Sequence, residues 1–428
     1  METIVAIVYL TMFFLGLSSR KYLALFLPVF SFCFPVGAEY LNYGEIGLYI
    51  IFIILAFFIF YVSKRHVPEF KFARAWRRST VQYFVIIGLL SLLLSVLFAP
   101  QTMISAGKDG VLWILYLLVF LLYSDLCGSA EHREYVIGGF MFAAAFQSIV
   151  TIGLLRDFDT FHVFYDGKDM SEIGEYWRGS GTFKGPWDLG GYLALSIVMF
   201  LMAFDVTGKK VVRLLLYGVI GICLYALALT LSRASWLMLF AAVFYILFFY
   251  KKKIFSIAVP LLLLAIVFAS AIDFDAIADQ VSHRIVYSYQ NQETGGIDNS
   301  TLARLNIWDK MIHNYSGAYF LTGYGIKYAF LVFGSTSHNT FLSLLMYGGL
   351  IAVWFVVLWV KKILWISRRL PKRSRVFIQA LLLSAMLYGL TADILYNLKV
   401  IVTMMIYVAF MISYGEQEAL EFRNVKNR

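Results

Sequence analysis

Long apolar runs broken by short polar stretches repeat along almost the whole chain. Runs long enough for a membrane helix start near Ile4, Tyr22, Ile46, Val81, Val111, Val136, Leu189, Leu214, Ser235, Ile254, Thr340, Val376 and Val400. A bilayer core takes about 20 apolar residues per helix, and only helices or closed barrels satisfy their backbone groups there. The pattern predicts an all-α polytopic transmembrane bundle of about 12–14 spans, one membrane domain over residues 1–428. The first run lacks a charged leader region and a small-residue cleavage site, so it reads as a retained span.

The polar breaks fall into two kinds. Four are basic: Lys64 to Arg78, Lys209 to Arg213, Lys251 to Lys253, and Lys361 to Arg375. If the spans alternate, all four lie on one side, the cytoplasmic one by the positive-inside rule. The other side receives two long polar segments, residues 155–188 and residues 273–338, which together hold half of the 26 acidic residues. Loops beyond about 12–15 residues are usually functional. The second is read as a large extracytoplasmic loop domain between late spans.

Composition narrows the class. Apolar residues make up 61% and charged residues 14%, against about 25% charged in soluble domains. A cytosolic enzyme, a disulfide scaffold and a disordered tail are excluded. The net charge of +10 reads as an orientation signal toward membrane lipids. No basic patch falls in a foldable soluble segment, so no nucleic-acid partner is expected. Cys33, Cys127 and Cys223 lie in or beside apolar runs without metal-type spacing, and no HExxH, CxxC or carboxylate cluster occurs. Neither a metal nor a cofactor is expected.

Candidate chemistry sits in the outer segments. Arg178-Gly179-Ser180-Gly181-Thr182-Phe183-Lys184-Gly185-Pro186-Trp187-Asp188 leads into a span. Its glycines set a tight backbone path that a ligand can approach, with the free N–H groups of the new helix beside it. The same residues also suit a plain re-entry turn with Trp187 as an interfacial anchor. In Thr230-Leu231-Ser232-Arg233 a lone arginine separates two apolar runs on the outer side. It calls for an anionic partner: a carboxylate, a lipid headgroup or a substrate phosphate.

In the second outer loop Arg304 and Trp308 stand four residues apart, on one face of a helix that Asn299 or Ser300 would cap. That face suits phosphate and sugar, or it is an ordinary amphipathic surface. Leu321-Thr322-Gly323-Tyr324-Gly325 reads as a flexible turn. Ser337-His338-Asn339 closes the loop at the mouth of the next helix, whose dipole would favour a neutral, base-competent imidazole, unless His338 is simply a capping or interfacial residue.

Taken in order, Gly-Thr-Phe-x-x-Pro-x-x-Leu-Gly, Thr-x-Ser-Arg, Arg-x-x-x-Trp, Gly-x-Gly and His-Asn resemble the O-antigen ligase and Wzy polymerase superfamily. The resemblance runs from about Arg178 to Gly349. It implies a metal-independent glycosyltransferase of the bacterial inner membrane, working at its outer face. The donor would be a glycan on undecaprenyl diphosphate. The acceptor would be a glycan in a polymerase, or lipid A–core or protein in a ligase, and a chain-length regulator is an implied partner. Arg178, Arg233 and Arg304 would bind the diphosphate, with Lys184 or Arg284 as substitutes for Arg178. His338 would be the base, and Ser232, Trp308 and Asn339 would support the site. Ligases carry Gly, Thr or Tyr where Ala352 stands, which favours a polymerase. A lipid-linked glycan flippase is disfavoured, because the spans are nearly free of charge; Asp393 and Lys399 are assigned to an outer turn.

Overall fold

A computed structural model describes residues 2–33, 42–43, 46–62, 71–98, 103–164, 172–173, 176–183, 185–207, 209–250, 299–313, 319–325, 337–394 and 397–426. The helices are α1 (Glu2–Ser18), α2 (Arg20–Pro28), α3 (Leu48–Ala56), α4 (Lys71–Phe98), α5 (Met103–Cys127), α6 (Ala130–Arg156), α7 (Phe158–Phe161), α8 (Pro186–Val206), α9 (Lys210–Leu229), α10 (Arg233–Tyr250), α11 (Asn299–His313), α12 (Tyr319–Thr322), α13 (Thr340–Ser367), α14 (Lys372–Gly389) and α15 (Leu398–Lys426). Two antiparallel ladders of two-residue strands, Asn42–Tyr43 with Ile46–Gly47 and Glu172–Ile173 with Tyr176–Trp177, are the only extended pairings among the described residues. The chain is an all-α polytopic bundle.

Among the described residues eight helices, α4, α5, α6, α8, α9, α10, α13 and α15, are long and apolar enough to cross a membrane. The other apolar runs fall short for identifiable reasons. The run from Tyr22 is interrupted at Pro28, which has no N–H to donate, and continues as a π-turn, Val29–Cys33. The run from Ile46 likewise passes from α3 into a π-turn at Phe57–Val62. α1 has only 17 residues, and α14 begins with Lys372, Arg373 and Arg375. The run from Ile254 and the basic residues Lys251 to Lys253 lie outside the described residues.

α8 and α15 form the enclosed centre. Almost every side chain of α8 from Leu189 to Phe204 is buried, and Ser196 Oγ meets Tyr407 OH of α15 at 2.9 Å. α9, α10, α14 and α6 surround this pair, and α4, α5 and α13 pack on the other side. Cys33, Cys127 and Cys223 are buried and unbridged, as small apolar residues would be.

Short antiparallel turns sort the polar groups to opposite ends. One end holds the ion pairs Arg20–Asp125 (3.1 Å), Lys209–Glu134 (2.9 Å) and Arg373–Asp205 (2.8 Å). The other end gathers residues 178–188, the α9–α10 turn, the start of α13 and the α14–α15 turn. Asp393 lies in that last turn and Lys399 in the first turn of α15.

α13 is broken inside its span. Gly349 adopts φ 59° and ψ −160°, a conformation essentially reserved for glycine. The break frees carbonyls of the preceding turn. Tyr324 N–H donates to Met346 O at 2.7 Å and Gly325 N–H to Tyr347 O at 3.1 Å. The stretch Leu321 to Gly325, expected as a flexible turn, is therefore a strap docked into the break. Unsatisfied carbonyls in a span are costly, and the strap supplies their donors.

Candidate active site

The first wall is the Arg178 loop, which a buried glutamine holds. Gln147, on α6, donates its amide to Phe32 O (3.3 Å) and Thr182 Oγ1 (2.6 Å), and accepts from Thr182 N–H (3.1 Å). Gly181 has φ +57°, and a Cβ there would lie 2.5 Å from the Gln147 side-chain oxygen Oε1; the turn needs glycine for both reasons. Past this cradle, Gly179 N–H donates to Leu229 O at 3.0 Å and Arg178 Nε to Thr230 O at 3.0 Å. The Arg178 guanidinium, buried, sits 6.0 Å from the centre of the Trp187 ring.

The second wall is the α9–α10 turn. Thr230 Oγ1 donates to Leu227 O (2.7 Å) and accepts from Ser232 N–H (3.2 Å), and Ser235 Oγ donates to Ser232 Oγ (2.8 Å). Leu231 takes φ 50°, unusual for a branched side chain. The turn places Arg233, exposed, as the first residue of α10. A cation at a helix N-terminus opposes the dipole. An anion held there would be favoured by the helix and by the guanidinium together. Ser232 is buried beneath, so its part is to shape the turn.

The third wall presents His338. Asn339 caps α13, its side chain accepting from Phe341 N–H (3.0 Å) and Leu342 N–H (3.1 Å) while its amide donates to Leu390 O (3.2 Å). Ser337 Oγ donates to Asn339 O at 2.7 Å and lies 2.6 Å from Ser343 Oγ, which bonds Asp393. Between these fixed neighbours His338 is held at φ 50°. Such strain persists only where the surroundings over-determine it. Its ring meets the Trp187 ring edge-on at 6.4 Å.

α11 is docked rather than free on the surface. Trp308 Nε1 donates to Ser337 O at 2.6 Å, which brings Arg304, one turn earlier, toward the imidazole. Burial first, and the Arg304 charge second, hold His338 below the ordinary imidazole pKa. Both causes favour the neutral imidazole, the form a general base requires.

Arg178, Trp187 and His338 thus form a chain of contacts, joined to the Arg233 turn by the Arg178–Thr230 bond and to Arg304 through Trp308. Lys184 and Arg284 lie outside the described residues. Among the described residues no group of three or more His, Cys, Asp or Glu is placed to hold a metal ion. Sequence reasoning missed Gln147, although a glutamine inside an apolar run was a readable signal. It also missed Ser343 and Tyr388, whose OH donates to Trp187 O at 2.7 Å. Nothing in the local sequence marks those two.

Residues 218–357 match the family model described as O-Antigen ligase. The matched stretch runs from α9 through the broken part of α13 and includes Arg233, Arg304 and His338. It supports the O-antigen ligase and Wzy superfamily for this chain, and with it a multi-pass membrane glycosyltransferase of ligase or polymerase type that uses a lipid-linked glycan. No curated protein matches the chain.

Proposed function

We propose that the protein transfers a glycan from undecaprenyl diphosphate to a hydroxyl of a second carrier-linked glycan, as a metal-independent, Wzy-like polymerase at the outer face of a bacterial inner membrane. The carrying observation is the join between the Arg178 loop and the Arg233 turn, with a neutral His338 one aromatic ring away.

In the reaction the acceptor oxygen bonds the anomeric carbon. The bond from that carbon to the diphosphate oxygen breaks, and its electron pair leaves on the diphosphate. The acceptor proton passes to His338. Charge on the diphosphate grows toward the transition state, so Arg178, Arg233 and Arg304 stabilise that state more than the bound donor. Arginine suits the task because its planar fork grips phosphate oxygens in pairs. A chain-length regulator is the proposed partner.

The ligase alternative, with lipid A–core or protein as acceptor, is favoured by the description of the matched family. Ala352, which departs from the ligase pattern, favours the polymerase; it is buried in α13 beyond the break.

The test is purified protein given only the lipid-linked repeat unit, with and without chelator. Lengthened product in both supports the reading. Product only when lipid A–core is added rejects the polymerase, and loss of product in chelator rejects metal independence. Arg233→Ala and His338→Ala should each abolish transfer with normal membrane insertion, and Arg233→Lys should be impaired. Normal activity in both alanine variants removes the site.

A further inference from the structure

The end of the bundle opposite the candidate site carries a surface that the transfer reaction does not use. From Leu350 to Leu358 α13 exposes one apolar face: Leu350, Ile351, Trp354, Val357 and Leu358. One turn further the same face becomes cationic around Trp365. Lys362 Nζ lies 4.6 Å from the centre of that ring and the Arg369 guanidinium carbon 4.4 Å. Lys361 and Arg368 are exposed beside them. Trp365 stays 40% exposed and meets Phe72 of α4 edge-on at 5.8 Å. There α4 begins, with Lys71 and Arg78 exposed. Trp76 stacks on Trp359 at 5.2 Å, and Trp359 Nε1 donates to Thr80 Oγ1 at 3.3 Å, so the two helices are fixed together.

The acids nearby are committed elsewhere. Glu416 accepts from Phe72 N–H and Ala73 N–H, each at 2.8 Å, and Asp205 pairs with Arg373. Among the described residues no carboxylate pairs with Lys361, Lys362, Arg368 or Arg369.

We propose that this α4–α13 surface binds an anionic phospholipid from the leaflet on the basic side. The phosphate lies between Lys362 and Arg369 at the Trp365 edge, and the acyl chains follow Leu350 to Leu358. Continuity is the argument for a lipid over a soluble anion: one helix face passes from apolar to cationic without a break. Lys361 to Ser367, the last residue of α13, covers about 9 Å of helix axis, enough to cross a headgroup layer of roughly 5–8 Å, and Arg369 follows in the turn beyond it. A tryptophan flanked by two cations also marks the depth of that layer.

The test uses the full chain in neutral detergent, with binding of phosphatidylglycerol, of phosphatidylcholine with matched acyl chains, and of inorganic phosphate read by native mass spectrometry. Phosphatidylglycerol should be retained in preference to phosphatidylcholine. Lys362→Gln with Arg369→Gln should weaken it about 30-fold, since each basic residue at an anionic surface contributes about fivefold. Lys209→Gln with Lys210→Gln, an equal charge loss at another basic break, should leave it within a few-fold. Trp365→Leu, which keeps every charge, should also weaken it. Equal retention of the two lipids overturns the proposal, as does equal weakening by the two double variants. Phosphate competing fully with the lipid shows a soluble-anion site and overturns it as well.

Discussion

Replacing Gly349 by alanine tests the strap and the break together. The residue stands at φ 59° and ψ −160°, where a non-glycine residue costs about 1–3 kcal/mol. The added Cβ would also lie 2.3 Å from Leu321 O and 2.6 Å from Gly323 N. Those atoms are backbone of the strap, so the strap must leave. It takes with it the bonds from Tyr324 N–H and Gly325 N–H to Met346 O and Tyr347 O, worth about 1 kcal/mol each. The total penalty is about 3–5 kcal/mol. Gly218→Ala in α9 is the control, because a Cβ there meets nothing within 4 Å; it should be neutral or stabilising by about 0.5–1 kcal/mol. The assay is apparent melting of the purified protein, with limited proteolysis of the 299–325 region and initial transfer rates. Gly349→Ala should melt earlier, be cut faster in that region and transfer poorly, while Gly218→Ala behaves as wild type. If the two variants melt and react alike, the strap is not what stabilises the broken helix.

Other outcomes follow from the site. Gln147→Leu removes every hydrogen bond of the cradle, so it should cost about 2–3 kcal/mol and raise KM for the lipid-linked donor; an unchanged KM would detach Gln147 from Arg178. Arg304→Gln should move the acid limb of the kcat/KM–pH profile upward, because the lost positive charge no longer disfavours the imidazolium; burial, the larger cause, keeps the limb below the ordinary imidazole value. A limb that stays put or moves down contradicts that pairing. Trp308→Phe keeps a flat ring but loses the bond to Ser337 O, so it should lower kcat/KM roughly tenfold, about 1.4 kcal/mol; full activity would instead favour a sugar platform.

The legible part was what depends on neighbours along the chain. Hydropathy gives α4 through α6, α8 through α10, α13 and α15, because a span must be apolar over its whole length. The Thr-x-Ser-Arg turn was legible because a cation between two apolar runs violates the local pattern. What stayed hidden depends on closure between distant segments. Gln147 meets Thr182 across 35 residues and Tyr388 meets Trp187 across 201. Gly323 and Gly325 read as flexible because glycine permits both mobile turns and tight docking. Only the freed carbonyls of α13 decide between the two. The same ambiguity hid the role of Trp308, whose ring suits a sugar but whose N–H is already bonded to Ser337 O.

The α14–α15 turn sets an order of assembly. During synthesis the Arg178 loop, the Arg233 turn and His338 all emerge before it. Yet Leu390 and Ala392 hold Asn339 and Thr340, Tyr388 holds Trp187, and Asn397 bonds Asp188. A ribosome that has delivered Arg178, Arg233, Arg304 and His338 has still not delivered the groups that brace them. Chains stalled before the last hairpin would sit in the bilayer without these braces, open to proteolytic clearance. Under the proposed function the late hairpin is a latch that would link competence for transfer to completion of the bundle.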